Sequence, residues 1–109
     1  MWLFLRHGFC SVKDAGNGNL LARFRTENHA KHFADACGGK PITVTHHTDY
    51  KYRIEVSREE LTVAMTQEIA DIDYPNFKDS ISSNDPDYAS ALHGIWSIHH
   101  NLQRMEDER

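Results

Sequence analysis

Apolar residues alternate along the start of the chain, with Trp2, Phe4, Cys10 and Val12 on one side and Leu3, Leu5, His7 and Phe9 on the other. A period of two is the mark of a strand, and apolar residues on both sides predict a strand covered on both faces. Asp14-Ala15-Gly16-Asn17-Gly18-Asn19 supplies turn chemistry and Leu20 to Arg25 resumes the alternation, so the two segments are expected to pair as a hairpin. Thr26 then offers a helix cap. Ala30, Phe33, Ala34 and Cys37 recur at the spacing of one helical face, and Gly38-Gly39 stops the helix.

The same order repeats after Pro41. Ile42, Val44 and His46 alternate with Thr43, Thr45 and His47, a turn is predicted at Thr48-Asp49, and Tyr50, Tyr52, Ile54 and Val56 share one face of a second extended run. Ser57 and Glu60 have capping-box spacing and open a helix whose buried stripe is Leu61, Ala64, Met65, Ile69 and Ile72. Asp73-Tyr74-Pro75-Asn76 breaks that helix, and Phe77 to Ile81 is read as a further short turn. Asp85-Pro86 opens a last helix with an inner face of Tyr88, Ala91, Leu92, Ile95, His99 and Leu102. The pattern therefore predicts an α+β fold: two ββα units forming a four-stranded antiparallel sheet with helices on one face, ferredoxin-like in general character, plus a C-terminal helical cap.

Composition narrows the class. A chain of 109 residues, 39% hydrophobic and 26% charged, is the size and make-up of a single globular domain, here 1–109. The first apolar run, Trp2 to Leu5, ends at Arg6, far short of the ~18 residues of a membrane span, and no targeting segment is expected. Cys10 and Cys37 form neither a CxxC pair nor a small-loop framework, which predicts two free thiols and a cytoplasmic setting. The net charge is −4 and the twelve Lys and Arg residues are scattered, so a nucleic-acid partner is disfavoured.

The one compositional excess is eight histidines. His29 and His32 lie three apart on the first helix, and His46 sits near Asp49, which makes these four the candidate metal ligands. His46 and His47 are adjacent on a strand and point to opposite faces, so only one of them can join such a site. No HExxH or CxxC accompanies them. Arg6-His7-Gly8 after an apolar strand echoes the RHG signature of the histidine phosphatases. The rest of the chain is too short and too rich in hairpins for that fold. No nucleophile elbow, phosphate loop or cofactor motif is present, so neither a catalytic set nor a cofactor is predicted.

Met1-Trp2-Leu3-Phe4 leading to Gly8-Phe9-Cys10-Ser11-Val12, then Tyr50-Lys51-Tyr52-Arg53, Ile72-Asp73-Tyr74-Pro75-Asn76-Phe77-Lys78, and Tyr88 with Ile95-Trp96, resembles a family of small uncharacterised bacterial proteins of about this length. The resemblance implies no catalytic activity. It draws attention to the polar residues Asp73, Asn76 and Lys78 between two helices, flanked by Tyr74, Tyr88 and Trp96. With Tyr52, which with Trp96 is expected near a small-ligand pocket, these are the candidate binding residues.

The expected function is a non-enzymatic protein-interaction module, possible roles including regulation or inhibition of a larger complex, which binds a protein or itself through a strand edge or the aromatic cap. The competing expectation is a metal-assisted or histidine-based hydrolase acting on a phosphate ester, which requires three ligands to converge.

Overall fold

A tight turn at Arg6-His7 divides the apolar N-terminal run into two strands, β1 (Trp2–Leu5) and β2 (Gly8–Asp14), in a computed structural model that describes all 109 residues. The strands pair antiparallel, with Leu5 opposite Gly8 and Leu3 opposite Cys10. The sheet therefore has five strands, not the four expected from the alternation. The turn also changes the parity: Leu3 packs against the core with Cys10 and Val12, while Trp2, Phe4 and Phe9 share the other face. Gly8 makes this turn workable. Its φ is +150°, and a Cβ there would sit 2.4 Å from the His29 ring, so the helix approaches the strand more closely than any other residue permits.

The chain divides into two compact units, Met1–Asp73 and Tyr74–Arg109. In the first, β3 (Leu20–Phe24) pairs with β2, α1 (Glu27–Ala36) crosses over, and β4 (Thr43–Val44) and β5 (Tyr52–Val56) complete an antiparallel sheet in the order β1-β2-β3-β5-β4. The element order βββα-ββα lacks the βαββαβ sequence of the ferredoxin-like arrangement. The α+β class and the antiparallel pairing are as expected.

Local chemistry fixes both helix starts. Thr26 Oγ1 accepts the His29 amide at 3.2 Å, and two glycines at positive φ, Gly38 and Gly39, follow the end of α1. In α2 (Arg58–Ala70) the capping box is complete: Ser57 Oγ accepts the Glu60 amide at 3.0 Å and Glu60 Oε1 accepts the Ser57 amide at 2.8 Å. Lys40 Nζ, 2.6 Å from Glu60, is the main reason the carboxyl lies below its usual pKa, with the Ser57 amide second.

One face of the sheet presents Cys10, Val12, Ala22, Phe24, Ile54 and Val56 to Ala30, Phe33 and Ala34 of α1 and Leu61 of α2, so both helices lie on that face. Cys10 has no solvent exposure, and burial pushes its thiol up to about 12. Cys37 is half-buried, and both thiols are free. The α2 stripe is shorter than expected: Leu61 and Ala64 are buried and Met65 packs on the core, but Ile69 and Ile72 are 69% and 55% exposed.

The opposite face is polar and aromatic. Ser11, Arg23 and Arg53 occupy one row across β2, β3 and β5, and Arg23 Nη2 donates to Ser11 Oγ at 2.7 Å. Tyr50 lies outside β5, buried, with the guanidinium groups of Arg23 and Arg25 at 4.6 and 4.3 Å from its ring centroid.

The second unit is helical, with a 3-10 turn at Lys78–Ser80 and α3 (Pro86–Asp107). No helix of the chain is long and apolar enough to cross a membrane.

Candidate functional site

Asp85 and Pro86 begin α3 as their chemistry dictates, with Asp85 Oδ1 accepting the Tyr88 amide at 3.4 Å and proline in the first turn. Burial then stops early. Tyr88 and Leu92 are buried, but Ala91, Ile95, His99 and Leu102 of the expected inner face are exposed. Ile95, Ile98, Leu102 and Met105 keep 38%, 73%, 57% and 53% of their surface in solvent. They follow one another at intervals of 3, 4 and 3 residues, which puts them on a single stripe of the helix.

The residues singled out around the Asp73-to-Lys78 segment separate into two groups. Asp73 accepts a 2.6 Å ion pair from Arg6, and Tyr52 is packed against the core of the first unit, with Lys51 Nζ 5.5 Å from its ring. In the second unit Asn76 Oδ1 accepts the Asp79 amide and Lys78 Nζ, each at 3.3 Å, which makes it a turn cap. Tyr74 stands 5.7 Å from Phe77. Lys78 Nζ lies 5.5 Å from the Trp96 ring, and that ring stacks on His100 at 5.2 Å and 3°. Asn76, Lys78 and Trp96 thus form one chain of contacts in which each polar group is turned to a neighbour.

The four candidate metal ligands do not converge. Asp49 is held by Arg25 at 3.0 Å, His46 is exposed in the β4–β5 connection, and His29 Nδ1 accepts the Phe9 amide at 3.3 Å. His32 lies against His7 instead, with centroids 3.9 Å apart and the rings tilted by 34°. No group of three His, Cys, Asp or Glu side chains is arranged to hold a metal ion. With Nδ1 accepting, a neutral His29 ring carries its proton on Nε2. His7 of the Arg6-His7-Gly8 segment faces a second imidazole, not a triad partner. Nothing in this arrangement favours the hydrolase expectation.

A cleft of about 250 Å³ opens between α1 and α2, with His7, His29 and His32 on one side, Val63 and Glu68 on the other, and Phe33 among its apolar lining. Burial, followed by the neighbouring His7, pulls the His32 imidazole below its ordinary pKa, while Glu68 and Asp35 act in the other direction. Sequence reasoning missed the His7–His32 pair because it depends on the Arg6-His7 turn, which swings His7 back over α1.

In comparisons with known proteins, no family model, curated protein or solved structure matches the chain. The resemblance carried by the IDYPNFK segment rests on its residues alone.

Proposed function

We propose that the protein is a self-associating interaction module, which docks onto a second copy of itself through the outer part of α3. The observation that carries this reading is the uncovered stripe of Ile95, Ile98, Leu102 and Met105, whose spacing is that of the a and d positions of a heptad. The stripe begins where the buried part of α3, Tyr88 and Leu92, ends. Such a seam is complementary to another helix with the same repeat, and this chain supplies one.

Charge does not oppose a parallel pair. The flanking g-to-e′ contacts would be Gly94 with His99 and Asn101 with Glu106, so no like charges oppose each other along the seam. The sheet edges support docking less, since β1 has four residues and β4 only two. The magnitude favours a weak complex. Four such side chains, each worth roughly 1.5–3 kcal/mol when fully buried and here about half uncovered, give on the order of 8 kcal/mol over two copies. Association costs about 4–15 kcal/mol, which leaves a concentration-dependent equilibrium, not a permanent dimer.

Sedimentation velocity tests the reading. The weight-average mass is expected to rise between low micromolar and submillimolar protein, and Ile98→Glu with Leu102→Glu is expected to hold the chain monomeric without changing the unfolding midpoint measured at low micromolar protein, where the wild type is monomeric too. A wild-type chain that stays monomeric throughout would refute it. The two free thiols further lead us to infer a reducing, cytoplasmic setting.

A further inference from the structure

We propose that Arg23 and Arg53, on the sheet face opposite the helices, form an oxyanion site that takes a phosphate-type dianion. This inference is independent of the reading of α3. The two residues are direct partners in the β3–β5 register, which sets two cations side by side on neighbouring strands, an arrangement that destabilises a sheet unless something neutralises it. The nearby carboxylates are engaged elsewhere. Asp49 is bound to Arg25 at 3.0 Å, and Glu55, two residues along β5 on the same face, accepts from Asn19 at 3.0 Å and from Asn17 at 3.4 Å.

Both Nε groups are buried and without a hydrogen-bond partner. Arg23 donates through Nη2 to Ser11 and lies over the Tyr50 ring, so its guanidinium is held in place, whereas the Arg53 side chain makes no hydrogen bond or ion pair. A buried donor left unmatched is costly, and an oxyanion seated between the two guanidinium groups would match both. A phosphate monoester fits better than a carboxylate, because it carries about −1.5 to −2 charges and three acceptor oxygens against two fixed cations. The planar fork of arginine is suited to that geometry.

The test is a titration of isotopically labelled protein with inorganic phosphate at constant ionic strength, read at the arginine Nε–Hε resonances. Those of Arg23 and Arg53 are expected to shift together and saturate. Arg53→Gln should weaken binding about tenfold or more, the loss of one charge-assisted hydrogen bond. Arg53→Lys, which keeps the charge without the fork, should fall between the two, and Arg58→Gln, an exposed cation of α2 on the other side of the sheet, should leave binding unchanged. Acetate should bind at least about tenfold more weakly than phosphate for the same reason. Adenosine monophosphate binding more tightly than phosphate would extend the site to a nucleotide, and equal binding would confine it to the phosphoryl group; either supports the assignment. Nε–Hε signals that do not move, or that move equally with acetate, would overturn it. So would an Arg53→Gln variant that loses stability by the same amount with and without phosphate, since that would make Arg53 a structural residue.

Discussion

The core of the first unit and the outer half of α3 draw on the same apolar residue types, yet Ile54 and Val56 each keep 1% of their surface in solvent while Ile98 and Leu102 keep 73% and 57%. In β5 the cover arrives from α1 and α2. In α3 the same kind of stripe continues for three more turns with nothing over it. The difference teaches that apolar periodicity says which side of an element wants covering, and is silent on whether the cover belongs to the same chain.

Paired substitutions break the comparison open. Ile54→Ala should cost about 2–5 kcal/mol, the transfer and cavity terms of a buried isoleucine. Ile98→Ala should stay within about 0.5 kcal/mol in the monomer, since alanine is a good helix former at an exposed site. Denaturant midpoints at low protein concentration decide this, and a costly Ile98→Ala would mean that α3 is covered within the monomer.

Gly8→Ala comes next. Its Cβ would collide with His29 in a backbone conformation that disfavours side chains, so a loss of about 2 kcal/mol is expected. The double variant with His29→Ala should recover part of that loss in a mutant cycle, and strict additivity would contradict the contact. Ser57→Ala should cost about 1 kcal/mol by leaving the Glu60 amide without its cap.

The smallest effect concerns pH. The His32 imidazole sits below its ordinary value in the folded chain, so the unfolded chain binds the proton more tightly. The stability associated with this neutral imidazole is present above the unfolded value of about 6.5 and is lost as pH falls through it towards the folded pKa. NMR titration should place the His32 midpoint below that of a free histidine, and His7→Asn should move it upward. An unchanged midpoint in His7→Asn would remove His7 as a cause.

These contrasts also mark how far the residues alone could be read. The Ser57–Glu60 box, the Thr26 cap and the Asp14-to-Asn19 turn were legible because each is local chemistry. The Arg6-His7 turn was not, since the alternation runs through it and the residue that permits it, Gly8, follows it. The full α2 and α3 stripes were overestimated because Ile69, Ile72, Ile95 and Leu102 fit a helical period whether covered or not. Arg23 and Arg53 were missed as a site because thirty positions separate them and only the β3–β5 register unites them. The signal was present in outline: each is a cation inserted between inward-facing residues, Ala22 and Phe24 in one strand, Tyr52 and Ile54 in the other.

The two thiols give the molecule a built-in gauge of its own breathing. Cys10 is sealed in the sheet and half-buried Cys37 stands at the end of α1, so a modifying reagent meets them at different depths. Labelling of Cys37 should follow fraying of the helix terminus, while labelling of Cys10 should wait for the sheet to part from its helices. The ratio of the two rates then separates local loosening from global opening, without any added probe.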